Sequence, residues 1–339
     1  MATNPSVVTL KDVASVAGVS VATASKALNG RQDVAEATRS RVAEVAGRLG
    51  FTRNELARSL LSQRSGTIGL LTGDLDGRFV LPILRGAEDA FGAGAIDAFL
   101  CDARGDVIRE QHHLNALLTR RVDGIIVVGR STDSRASLGQ NLPIPVVYAY
   151  APSDDPRDLS LTPDNVSGGE LAVHHLLDCG RTRIGHITGD PTRAAAQDRT
   201  TGFLRAMEES GSTPCGEVMA SAWSEQWGRD ATAVLLEQHR DLDAIVAGSD
   251  LIARGVLDAV RDSGRTVPDD VAVIGYDNWS VLVTGARPGL TSIDSNLERL
   301  GHEAARHLFR AMSDDDESAH GVHHLPVRLV IRGSTIAHR

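Results

Sequence analysis

The chain has 339 residues, 42% of them hydrophobic and 23% charged, with a net charge of −9. That length exceeds one ordinary domain, and the composition excludes a disordered or fibrous chain. Cys101, Cys179 and Cys215 form no C-x-x-C pair, which argues against a disulfide framework and for a reducing compartment.

The charge is unevenly spread. Residues 1–65 hold nine Lys or Arg against five acids, a net +4, which leaves −13 on the rest. A small basic module on an acidic body concentrates phosphate-binding charge at one end. Within it, residues 9–30 read TLKDVASVAGVSVATASKALNG. Thr9 caps a helix, Asp12 answers the cap, and Leu10, Val13, Ala14 and Ala17 recur at helical spacing. Gly18 ends that helix by accepting a left-handed conformation. Ser20 caps a second helix over 21–28, with Ala24, Ala27 and Leu28 turned inward. Thr38, Arg41, Val42, Val45 and Leu49 set a third helix, stopped by Gly50. Two short helices joined by a glycine turn make a helix-turn-helix, the geometry of a DNA-reading module.

With TRSRVAEVAGRLGF and NELARSLLSQRSGTIGLL following at the same order and spacing, this segment resembles the lactose-repressor (LacI/GalR) family of bacterial transcription regulators. The resemblance implies a headpiece over 1–51, a hinge helix and linker over 52–65, and an effector-binding and dimerisation domain over 66–339. It implies that the second helix enters the major groove with Val21, Ala22 and Lys26 toward the bases. A lysine can donate to guanine O6 or N7, and small apolar side chains can touch thymine methyls. Ser20, Thr23, Ser25 and Asn29 match positions that hold phosphates and fix register; Ser20 equally serves as a helix cap. In the hinge, Asn54 can cap a short helix carrying Leu56 and Leu60 on one face. The family pairs two such helices in the minor groove, where Leu60 would wedge a base step and Ala57 would face the groove. Arg53 stands where many relatives have proline.

From residue 67 onward, apolar runs alternate with helical stretches. Strands are expected over 67–72, 96–101, 124–129, 146–150, 184–188, 244–247 and 271–276. Helices are expected over 82–91, 109–120, 168–178, 201–210 and 251–263. Such alternation means parallel βαβ units, in a number that suggests two stacked α/β lobes with a ligand site beyond the strand C-termini. The resemblance implies a type I periplasmic-binding-protein-like fold. Lobe one would cover about 66–161 plus 293–322, and lobe two about 162–292 plus 323–339.

Three strand ends carry chemistry: Trp223 after the 218–222 run, Arg193 and Arg199 after Gly189-Asp190-Pro191, and Asp277 after 271–276. An aromatic face, guanidinium groups and a carboxylate suit a polyhydroxylated ligand. The resemblance adds Asp250, and Gly73, Asp74 and Phe79 on the first lobe. Tyr150 stands where many sugar-binding relatives keep a carboxylate, which leaves a purine-like or aromatic-glycoside ligand open beside a sugar. No cofactor is expected, only this small-molecule effector.

The adjacent pairs His112-His113, His174-His175 and His323-His324 point in different directions along helix or strand and make no metal site. No phosphate-binding loop and no G-x-S-x-G elbow is present, so no catalysis is expected. No signal peptide is expected from the first residues, and apolar runs are too short to span a membrane. These readings converge on a cytoplasmic homodimer that binds operator DNA under the control of a sugar-like effector.

Overall fold

A computed structural model describes residues 8–28, 34–49, 65–91, 97–312 and 319–336. Asn29, Gly50 and the whole hinge stretch 52–64, with Arg53, Asn54, Leu56, Ala57 and Leu60, lie outside them, as do residues 92–96. The chain divides into two compact units, Met1–Ser65 and Gly66–Arg339.

The first unit contains helices α1 (Leu10–Ala17), α2 (Val21–Leu28) and α3 (Glu36–Leu49). Thr9 and Asp12 form a reciprocal capping box: the Thr9 N–H donates to Asp12 Oδ2 at 2.8 Å, and the Asp12 N–H donates to Thr9 Oγ1 at 3.4 Å. Gly18 takes φ 66°, and the Val19 N–H closes the turn on the Ala14 carbonyl at 3.0 Å. Val13, Ala14, Ala17, Ala24, Ala27, Val34, Val42, Val45 and Ala46 form the core. Mostly alanine and valine, it is thin, as expected of a small module.

The second unit holds two six-stranded sheets. The first contains β1 (Thr67–Thr72), β2 (Asp97–Asp102), β3 (Gly124–Val128), β4 (Val146–Ala149), β5 (Leu159–Pro163) and β11 (Gly321–Leu325). All its pairings are parallel, in the order β11-β5-β4-β3-β1-β2. The second contains β6 (Ile184–Thr188), β7 (Met219–Ala220), β8 (Ala244–Ala247), β9 (Ala272–Tyr276), β10 (Thr291–Asp294) and β12 (Arg328–Val330), in the order β12-β10-β9-β8-β6-β7. Only β12 runs antiparallel.

Helices cover both faces of each sheet. In lobe one, α4 (Val80–Phe91) and α11 (Leu297–Met312) pack on Ile68, Leu70, Ile126 and Val147, while α5 (Val107–Thr119) packs on Leu71, Ile125 and Val127. In lobe two, α6 (Asn165–Asp178) and α7 (Ala194–Glu209) cover Ala244, Val246 and Ile274, while α8 (Glu225–Gln238) and α9 (Asp250–Asp262) cover Ile245, Ala247 and Val273. A short α10 (Ser280–Gly285) follows β9. The two-face burial explains why these strands read as continuous apolar runs.

The chain passes between sheets after β5, after β10 and after β11. The boundaries expected at 161/162, 292/293 and 322/323 therefore fall inside strands, because a strand stays with its hydrogen-bonded neighbour to its end. Helices also start earlier than the apolar periodicity suggests. Asp106 caps α5, its Oδ1 accepting from the Ile108 N–H at 2.8 Å, and Asp164 caps α6. The first turns of α7 are Ala-rich and polar, so periodicity placed its start seven residues late.

Candidate functional site

On the first unit, α2 presents one face inward through Ala24 and Ala27, and Val21, Ala22 and Lys26 on the other are exposed. Ser20 caps α2, its Oγ accepting from the Thr23 N–H at 3.0 Å, and the two hydroxyls lie 2.8 Å apart. Thr23 and Ser25 are half-buried beside them.

On the second unit, loops at the strand C-termini of both lobes enclose a cavity of about 270 Å³, near the lower end of small-molecule pockets. Lobe one supplies Asp74, Arg78 and Phe79 after β1, Arg130 to Asp133 after β3, and Tyr150 after β4. Lobe two supplies Arg193, Ala195 and Arg199 around the start of α7, Trp223 after β7, and Asp277 after β9. A neighbouring cavity of about 300 Å³ shares Arg78, Phe79 and Asp277. Tyr150 and Asp277 hold positive φ, 74° and 96°, a backbone cost that gathers at ligand sites.

Asp277 is the electrostatic centre. Its side chain is 4% exposed and accepts from Arg199 Nη2 at 3.2 Å and from Arg78 Nη2 at 2.5 Å. Arg199, also 4% exposed, donates further to Asn165 Oδ1 at 3.0 Å and to the Gly248 carbonyl at 2.6 Å. Its guanidinium lies 3.6 Å from the Tyr276 ring centroid and 5.9 Å from that of Trp223. Phe79 and Tyr150 stack at 4.6 Å, and Arg78 lies over Phe79. Burial, with the Asp277 charge nearby, pushes the Tyr150 hydroxyl pKa up, so it stays a neutral donor.

Among the described residues two ion pairs cross the cleft. One is Arg78–Asp277; the other is Arg193 Nη1 to Asp133 Oδ2 at 2.8 Å, reinforced by the Ala194 N–H to Asp133 Oδ1 at 2.8 Å. Burial opposes the Asp133 charge, yet bonds from Ala194, Ser131 and Arg193 hold its carboxyl below the usual range. Arg78 Nε and Thr132 Oγ1 are buried on this wall without a hydrogen-bond partner among the described residues. Polar atoms left so are what a ligand's hydroxyls can satisfy.

Of the residues singled out in the sequence, Asp74, Phe79, Tyr150, Arg193, Arg199, Trp223 and Asp277 meet at this cavity. Gly73 and Asp250 do not line it. Gly73 passes close to the 105 turn, where an added Cβ would stand 3.2 Å from the Gly105 nitrogen. Asp250 is 1% exposed and sits behind the wall, accepting from Ser292 Oγ at 2.6 Å and the Trp279 N–H at 2.7 Å. Arg78, Arg130, Ser131, Thr132, Asp133 and Ala195 were not anticipated. Their signal was position alone, since the 129–133 loop and Arg78 follow strand C-termini.

Burial, then repulsion from Asp277, raises the Asp250 pKa from 3.8 to about 7. The unfolded chain releases this proton near pH 4 and the folded chain holds it to near 7. This group's contribution to stability is therefore full below pH 4 and is lost as pH rises to about 7, by on the order of 4 kcal/mol at 1.36 kcal/mol per unit. Asp250→Asn is expected to flatten that decline; an unchanged slope in denaturation between pH 4 and 7 would contradict it.

Residues 9–54 match the model described as bacterial regulatory proteins, lacI family, and residues 173–335 match that of a periplasmic binding protein-like domain. The chain is 33% identical over 334 residues to catabolite control protein A of Priestia megaterium, covering 97% of this chain and 99% of that protein. It is 30% identical over 309 residues to the HTH-type transcriptional repressor PurR of Aliivibrio salmonicida, covering 90% and 92%. The crystal structure of the lac repressor dimer bound to operator and the anti-inducer ONPF superposes with a TM-score of 0.72 at 26% identity, covering 97% and 99%. Among the described residues no helix is long and apolar enough to cross a membrane.

Proposed function

The chain belongs to the lacI family of bacterial regulatory proteins, and from that premise we propose that it is a cytoplasmic homodimeric repressor whose operator affinity is set by a sugar-like effector in the interlobe cavity. The observation that carries the effector reading is the shared Asp277 carboxylate, held by Arg199 within lobe two and by Arg78 across the cleft. A ligand hydroxyl that competes for either guanidinium changes the bond closing the lobes, so occupancy and lobe geometry are coupled. Phe79, Tyr150 and Trp223 offer apolar faces for a sugar ring, and charged groups take its hydroxyls. The Phe79–Tyr150 stack also suits a planar ring. A thermal-shift screen of the full chain should therefore include nucleobases and aryl glycosides. A stabilising sugar whose effect disappears in Arg199→Met supports the reading; stabilisation equal in both proteins overturns it.

In the headpiece, exposed Lys26 on α2 is the polar base reader, with Val21 and Ala22 beside it. Ser20, Thr23, Ser25 and Asn29 hold the backbone, and Ala57 and Leu60 serve the minor groove. Lys26→Ala is expected to relax preference at one base pair per half-site, a discrimination of about 1–3 kcal/mol. A binding selection with an unchanged consensus would refute that role.

A second copy would cover the free edge of lobe one. Phe99 on edge strand β2 and Val107 and Ile108 at the start of α5 are exposed, the last at 81%. An apolar sheet edge left open invites aggregation unless it is covered. Ile108→Asp with Phe99→Asp should sediment as a monomer; an intact dimer would place the interface elsewhere. Catabolite control protein A and PurR are regulators by name, and no catalytic step is proposed for this chain.

A further inference from the structure

The far end of lobe two carries a cluster unconnected with the effector cavity. Cys215 precedes β7, and its N–H bonds the Ile184 carbonyl at 2.8 Å, at the start of β6. His239 caps the C-terminus of α8, and Asp241 follows two residues later, ahead of β8. These segments meet at the strand N-termini, whereas the cavity lies beyond the C-termini, about 17 Å away along a five-residue strand. One donor atom from each residue, the Cys215 sulfur, a His239 ring nitrogen and an Asp241 oxygen, lies within 4.8 Å of the other two.

We infer that Cys215, His239 and Asp241 form a site for a zinc-class divalent cation, completed by water. Sulfur and imidazole donors disfavour calcium and magnesium and suit borderline-soft metals in tetrahedral geometry. The surroundings fit. Arg183 Nε donates to Asp241 Oδ2 at 2.7 Å, which fixes the carboxylate and leaves its second oxygen for the ion, while the same guanidinium also faces Cys215. The His239 ring makes no hydrogen bond among the described residues. Gly216, at φ 82°, leaves room for that ring, since an added Cβ would stand 2.8 Å from His239 Nε2. Cys215 is buried, His239 half-buried and Asp241 exposed, so the ion enters from the Asp241 side and keeps a water there. Binding replaces the Cys215 S–H bond by a sulfur–metal bond and releases the proton to solvent. The ion would tie the end of α8 and the loop before β8 to the turn before β7.

Cobalt(II) titration of the full-length protein, first stripped with a chelator, tests the site. Expected are a thiolate-to-cobalt charge-transfer band and tetrahedral visible bands that saturate at stoichiometric metal and disappear on adding zinc. Cys215→Ser should abolish the charge-transfer band, and His239→Ala should weaken cobalt binding at least ~100-fold while its circular dichroism without metal matches the parent's. No charge-transfer band in the parent, a band surviving in Cys215→Ser, or equal cobalt affinity in His239→Ala would each overturn the assignment.

Discussion

Asp277→Ala is expected to destabilise the Gly66–Arg339 unit by about 3–5 kcal/mol. The carboxylate is the only acidic group bonded to Arg199 among the described residues, and both side chains are 4% exposed. Its loss leaves a buried guanidinium facing the Gly248 carbonyl and the Asn165 amide oxygen, which accept hydrogen bonds but carry no opposing charge. It also frees Arg78 and so removes an ion pair across the cleft. Asp277→Asn keeps an acceptor and should cost less. Urea denaturation of the full-length proteins checks this; a loss below about 1 kcal/mol would mean that solvent screens the pair.

Gly202→Ala is expected to cost about 3 kcal/mol or more by overpacking. Helices α6 and α7 approach backbone to backbone: a Cβ on Gly202 would stand 1.9 Å from the Val166 carbonyl oxygen, and one on Gly169 would stand 2.3 Å from that of Arg199. Neither obstacle is a flexible side chain, so the helices must separate. Because Asn165 opens α6 and Arg199 lies within α7, separation also stretches their 3.0 Å hydrogen bond. The substitution should therefore weaken effector binding from outside the cavity. A variant with parental midpoint and parental effector affinity would contradict the close-packing argument.

How much of this was legible in the sequence followed from burial. The headpiece was readable because its signals are local: Thr9 with Asp12, Gly18 at a left-handed turn, Ser20 at a cap. The central strands of both sheets were readable because two-face burial makes them unbroken apolar runs, as in GIIVV at β3. Strands β5 and β10, LSLTP and TSID, were not anticipated. Their buried Ser160, Thr162, Thr291 and Ser292 look like loop residues until their partners are known. Ser160 Oγ accepts from the Ser153 N–H, and Ser292 Oγ donates to Asp250, each across a gap in sequence. For the same reason Asp250 read as a ligand group when its carboxylate is bound within the protein. Arg78 and Asp133 carry no sequence signal because a cross-cleft ion pair joins residues 199 and 60 positions apart, and no periodicity records such a meeting.

Coupling between the cavity and the headpiece is the central expectation. The most direct test is operator affinity of the full-length protein, by fluorescence anisotropy at fixed salt, with and without saturating effector from the ligand screen. A coupling of 1–3 kcal/mol predicts a change of roughly 5–150-fold, matched by the same factor in effector affinity when operator is present. An operator dissociation constant that stays the same while the cavity is demonstrably full would contradict it.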